Sequence, residues 1–80
     1  MDDSQLLQNI EKLVSEEHAL MKQAEHGLLN EEQHARMHQL GVQLDQCWDL
    51  LRQRRARREF GMNPNEAQTR DPGIVEHYQQ

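Results

Sequence analysis

The sequence predicts an all-α fold in which two long helices form an antiparallel hairpin and a short helical tail follows. Two stretches repeat apolar residues at heptad spacing, helix-capping signals lie between them, and strand-forming residues are scarce. Of the 80 residues, 35% are apolar and 29% are charged, which is typical of coiled-coil-like helical chains. A chain of this length permits one small core, so we treat residues 1–80 as a single domain.

Helix 1 is expected over about residues 3–26. Asp2 or Asp3 can cap its N-terminus. Apart from one gap at residue 17, its apolar residues alternate three and four apart, as the a and d positions of a heptad do; they are Leu6, Ile10, Leu13, Leu20 and Ala24. A second stripe at the adjacent e positions makes this apolar face wider than one neighbouring helix covers; it consists of Leu7, Val14, Met21 and Leu28.

A short turn and a second helix follow. Gly27 predicts a left-handed residue at the end of helix 1, and Asn30 with Gln33 predicts a capping box that begins helix 2. So short a connection makes the two helices antiparallel neighbours. Helix 2 is expected over about residues 31–60, with Gly41 and Trp48 at e positions. Its a and d positions begin apolar and end basic: Met37, Leu40, Leu44, Cys47, Leu51, Arg54 and Arg58.

The tail, residues 61–80, contains two further helix-start signals. Asn63 and Pro64 form the first, and Asp71 and Pro72 form the second. The second segment carries three residues that can dock on the hairpin but cannot fold alone: Ile74, Val75 and Tyr78.

A lone hairpin leaves its e-position residues in water. We therefore expect two copies to associate into an antiparallel four-helix bundle, a homodimer in which these residues are buried between protomers. The predicted dimer face consists of Leu7, Val14, Met21 and Trp48.

Charge is distributed unevenly along a chain whose net charge is -5. Residues 1–51 contain ten acids and three bases, whereas residues 52–58 contain five bases and no acid. These five residues form the arginine cluster: Arg52, Arg54, Arg55, Arg57 and Arg58. Guanidinium groups bind carboxylates and phosphates through paired hydrogen bonds. The cluster is therefore the strongest candidate binding site, with an acidic protein as the expected partner.

Two other interpretations of the arginine cluster stay open. If opposite residue numbers in the hairpin sum to about 57, Arg54 and Arg55 lie opposite Asp3 and Asp2, and acids of the same chain neutralise them. Nucleic acid is the other possible ligand. The overall acidity of the chain and the absence of aromatic residues among the arginines argue against it.

Three histidines give a weaker hypothesis of a metal-binding bundle. His34 and His38 lie four residues apart on helix 2, a spacing that places two imidazoles on one side of a helix. Hairpin pairing brings His18 close to His38. Because the sequence offers no fourth ligand, we expect neither a metal nor another cofactor.

No pattern in the sequence indicates an enzyme. Cys47 occupies a core-facing d position, which favours a packing thiol over a nucleophile, and no glycine-rich phosphate loop is present. No stretch approaches the roughly 20 apolar residues of a membrane span, and the N-terminus lacks a signal-peptide pattern. We expect a cytoplasmic, non-enzymatic interaction or regulatory protein without membrane contact.

One distinctive run, LDQCWDLLRQRRARREFG over residues 44–61, points to a known family. Together with EEHAL upstream and with PNEAQTR and VEHY downstream, it resembles the short actinobacterial domain-of-unknown-function family numbered 2630. The resemblance spans nearly the whole chain. It implies a small helical bacterial protein and assigns no reaction, substrate or cofactor to it.

Overall fold

Three α-helices and one 3₁₀ turn make up the structure, a computed structural model that describes residues 2–78 and side chains as far as residue 75. Helix α1 is Asp3–His26, α2 is Glu31–Glu59, the 3₁₀ turn is Pro64–Glu66, and α3 is Pro72–Tyr78. No strand occurs in this part of the chain. The all-α hairpin with a short helical tail is confirmed. Gln79, Gln80 and the Tyr78 side chain lie outside the described part.

Both long helices begin at capping boxes. The Asp2 carboxylate accepts a hydrogen bond from the Gln5 amide at 2.8 Å, and the Gln5 side chain accepts one from the Asp2 amide at 3.1 Å. Asn30 and Gln33 repeat the arrangement at 2.8 and 2.9 Å. Two otherwise unpaired backbone donors are satisfied at each start, so the capping box predicted at Asn30 is confirmed.

The helix ends differ from each other. The prediction for Gly27 is wrong, because its φ of 169° is extended backbone that any residue adopts. Helix α2 instead ends in a Schellman motif at Gly61, whose φ is 72°. The Gly61 amide donates to the Arg58 carbonyl at 3.2 Å, and the Met62 amide donates to the Arg57 carbonyl at 2.7 Å. The left-handed φ explains why glycine stands at position 61.

The apolar core lies where the start of α1 meets the C-terminal half of α2. Its buried cluster consists of Leu6, Ile10, Leu44 and Leu51. Partly buried residues pack around that cluster: Leu13, Val14, Cys47 and Leu50. Beyond Ile10 no residue of α1 is buried, so the end of the hairpin near the loop contributes less to stability.

The tail runs back along α2 on the side away from α1. Gln53 donates a side-chain hydrogen bond to the Gln68 carbonyl at 2.8 Å, and Gln46 donates one to the Arg70 carbonyl at 3.2 Å. Val75 of α3 is 1% exposed, so the tail docks through this residue, whereas Ile74, which was also expected to dock, is 53% exposed. Helix α2 is thus the central element, with α1 on one side and the tail on the other.

Candidate functional site

The arginine cluster divides into internally paired and exposed members, and Arg54 is the most deeply buried. Its Nε lies 2.5 Å from Asp3 Oδ1, and its Nη1 donates to the Pro64 carbonyl at 3.2 Å and to Asn65 Oδ1 at 3.1 Å. Only 6% of the residue is exposed. The prediction that Arg54 binds a partner is therefore corrected: this guanidinium joins α1, α2 and the 3₁₀ turn.

Two more arginines pair with acids of the same chain. Arg58 binds the second carboxylate oxygen of Asp3, and Arg57 lies 3.5 Å from Glu66. Three members of the cluster are therefore paired within the chain, although they share two carboxylates, Asp3 and Glu66. Asp2, which hairpin pairing placed opposite Arg55, caps α1 instead.

Arg52 and Arg55 remain exposed. No acid within residues 2–75 forms an ion pair with either of them. They follow Trp48 by four and seven residues, so the three side chains share one face of α2. This surface, the Trp48–Arg52–Arg55 surface, combines a half-exposed indole with two guanidinium groups that are available to a carboxylate.

The predicted dimer face is uncovered in the single chain. Leu7 and Trp48 are each 42% exposed and Met21 is 49% exposed, while Val14 is half-buried against the core. Gly41 lies one heptad before Trp48 on this face, and a Cβ added to it would meet nothing within 4 Å. Glycine inside a helix costs about 1 kcal/mol relative to alanine. No packing contact within the described chain accounts for that cost.

The histidines do not form a metal centre in the described chain. His18, His34 and His38 are all exposed. Within residues 2–78 no group of three or more histidine, cysteine, aspartate or glutamate side chains is placed to hold a metal ion. Cys47 is half-buried beside the core, and burial raises the pKa of its thiol, which makes it a weak nucleophile.

A buried ion pair that the sequence did not predict holds the tail on α2. The Asp49 side chain is only 2% exposed. Arg70 binds both of its carboxylate oxygens, and Gln53 donates to Oδ2 at 2.9 Å. The hydrogen bonds from Arg70 lower the pKa of Asp49, with a smaller contribution from Gln53. Periodicity places Asp49 two residues from Leu51, on the side of α2 opposite the core, where an acid is expected to face solvent.

Stability should fall in acid mainly because of Asp3 and Asp49; the pKa of Glu16 is also lowered, by its hydrogen bond from Arg36, but that pair is exposed and contributes less. Hydrogen bonds from Arg54 and Arg58 lower the pKa of Asp3, and the Asp49 pKa is lowered as described. A carboxyl group with a lower pKa in the folded state adds stability that is present above its unfolded pKa, about 3.9, and is lost as pH falls through the folded value. We expect the free energy of unfolding, measured in urea, to decline below about pH 4. Asp3→Asn should show a smaller decline, and an equal decline would contradict this assignment.

Comparison with known proteins places the chain in a family and names no activity. No helix in residues 2–78 combines the length and the apolar character needed to span a membrane. The chain is 48% identical over 77 residues to uncharacterised proteins of Mycobacterium bovis and of two Mycobacterium tuberculosis strains, covering 95% of this chain and 88% of each relative. No solved structure matches it. Residues 2–80 match the model of the family described as "Protein of unknown function (DUF2630)", and the chain therefore belongs to that family.

Proposed function

We propose that this chain is a small non-enzymatic interaction protein that forms a homodimer through the predicted dimer face and binds an acidic segment of another protein. The observation that carries the acid-binding part of the proposal is the pair Arg52 and Arg55, which are exposed, lie beside Trp48 of the predicted dimer face, and form no ion pair with an acid of residues 2–75. Tryptophan and arginine are also the residue types that most often dominate the energy of protein interfaces.

Shape and composition support the dimer. The molecule measures 50 by 25 by 17 Å, so a face along its long axis is large enough for the roughly 800 Å² per partner that a standard interface buries. Leu7, Met21 and Trp48 supply apolar area on that face. Gly41 leaves open space between them, which allows a second backbone to approach closely.

Charge supports an acidic partner. Arg52 and Arg55 are one helical turn apart, so two carboxylates on one turn of a partner helix can each meet a guanidinium. The bonds would form beside the indole of Trp48, where partial removal of water strengthens them. Nucleic acid fits less well, because three of the five arginines are paired internally and duplex binding usually uses six or more phosphate contacts.

Binding of a fluorescent glutamate-rich peptide, followed by anisotropy at low salt, tests this proposal. Replacing both exposed arginines (Arg52→Gln with Arg55→Gln) should weaken binding by about tenfold or more, since each loses a charge-assisted hydrogen bond. The matched control is Lys22→Glu, which changes the net charge by the same two units at an exposed site on α1. It should change the affinity less than about twofold.

Three results would overturn the proposal. One is an equal loss of affinity in the two variants, which would mean that peptide binding depends on the net charge of the protein and not on Arg52 and Arg55. Another is the absence of saturable peptide binding. The third is tighter binding of a short DNA duplex than of the peptide, with the same loss on replacing Arg52 and Arg55, which would favour nucleic acid.

A further inference from the structure

A groove lies on the opposite side of the hairpin from the predicted dimer face. Asn9 on α1, with Gln43 and Leu50 on α2, occupies g positions, and the g and e flanks of an antiparallel pair lie on opposite sides of the a and d seam. The groove has a volume of about 380 Å³. Its remaining lining comes from both helices and the tail: Leu6, Lys12, Leu13, Gln46, Cys47 and Thr69.

The lining separates into an apolar floor and a polar rim. The floor consists of Leu6, Leu13, Cys47 and Leu50, and the rim residues are uncharged except for Lys12. Within residues 2–75, no acid forms an ion pair with Lys12. Glu16, one helical turn further along α1, is bound to Arg36 instead. An apolar cleft with one available cation at its edge suits a ligand that has an apolar body and an anionic end.

We propose that this groove binds a single-chain amphiphile with an anionic head group, of the class of medium-chain alkanoates. The alkyl chain lies on the leucines of the floor, and the carboxylate meets the Lys12 ammonium at the rim. Leu6 and Leu13 are seven residues apart, which at 1.5 Å per residue is about 10 Å, the extended length of a chain of about eight to ten carbons. The groove volume falls within the range of small-molecule sites.

The docked tail supplies one wall of the groove. Thr69 stands between two residues whose carbonyls are held on α2, Gln68 by Gln53 and Arg70 by Gln46. The ion pair between Arg70 and Asp49 fixes the same segment. A ligand that contacts Thr69 therefore binds only the form in which the tail is docked, and it should stabilise that form.

Titration of the ¹⁵N-labelled protein with decanoate below its micelle concentration tests the proposal. We expect saturable chemical-shift changes centred on the groove residues Asn9, Leu13, Gln43, Gln46, Leu50 and Thr69, together with slower alkylation of Cys47 by iodoacetamide. Lys12→Glu should weaken decanoate binding by about tenfold or more and strengthen binding of decyltrimethylammonium, which has the same chain and the opposite charge. Lys22→Glu, exposed and outside the groove, should leave both affinities unchanged.

Three outcomes overturn the proposal. Shift changes centred on Leu7 and Trp48 would assign the amphiphile to the predicted dimer face. Equal binding of the two amphiphiles by the wild-type chain would show that Lys12 selects no charge. The absence of saturable shift changes would show that the groove does not bind decanoate. Lys12→Met provides a second variant that removes the cation without adding an acid, and it should lose decanoate binding without gaining the cationic amphiphile.

Discussion

Replacing Arg54 by methionine should lower the free energy of unfolding by about 2 to 3 kcal/mol. The substitution removes the hydrogen bonds to Asp3, to the Pro64 carbonyl and to Asn65, so α1, α2 and the 3₁₀ turn lose their shared contact. The loss stays below that of a fully buried pair because the Asp3 side chain is 31% exposed and still bonds to Arg58. Urea unfolding monitored by circular dichroism measures the effect.

Arg55→Met is the matched control for Arg54→Met. It makes the same chemical change at the adjacent, exposed position, and it should alter the free energy of unfolding by less than about 0.5 kcal/mol. Equal losses in the two variants would mean that the internal role assigned to Arg54 is wrong.

Replacing Arg70 by methionine should lower the free energy of unfolding by about 2 kcal/mol, because the buried Asp49 carboxylate keeps only its bond to Gln53. The Arg70 side chain is 37% exposed, so its own contribution is partly screened by water. Backbone amides in α3 should exchange hydrogen faster, since the tail loses its main attachment to α2.

A double-mutant cycle separates the ion pair from general tail packing. Asp49→Leu combined with Arg70→Met removes both charges, so the double variant should be more stable than Arg70→Met alone. If the loss of stability in the double variant, relative to the wild type, instead equals the sum of the two single losses, the side chains act independently and the stability contributed by Asp49 does not depend on Arg70.

The local elements of this fold could be predicted from the sequence because each depends on residues close together in the chain. Heptad spacing and the signal at Asn30 and Gln33 predict both long helices to within about one residue at each bound. The short turn then fixes which residues face each other. That register placed Arg54 opposite Asp3, and the two side chains do pair.

Other features depend on contacts that no local pattern encodes. The path of the tail is set by the ion pair between Arg70 and Asp49, which are 21 positions apart in the chain. The sequence around Asp49 predicts a solvent-exposed acid on the outer side of α2 and does not indicate that the tail will bury it. The division of the arginine cluster has the same origin, since the 3₁₀ turn contributes Glu66 and Asn65. The prediction of a left-handed conformation at Gly27 was wrong because a glycine permits a left-handed φ without requiring it.

The predicted dimer face is central to the proposed function, because it contains Trp48 and adjoins the two exposed arginines, Arg52 and Arg55. The described chain covers one side of α2 with α1 and another with the tail, yet leaves Leu7, Met21 and Trp48 in solvent. These three residues lie on the e-position side of the hairpin, and apolar side chains left exposed along one side of a small protein favour an interaction surface there.

Sedimentation equilibrium of the wild-type chain tests this claim most directly. We expect a dimer with a dissociation constant of about 10 µM or lower, and we expect Trp48→Ala to weaken association by at least about tenfold, as loss of a central aromatic anchor does. Phe60→Ala, which removes a 78% exposed aromatic residue outside the predicted dimer face, should leave the dimer intact. A wild-type monomer at about 100 µM, or equal effects of the two substitutions, would contradict the account.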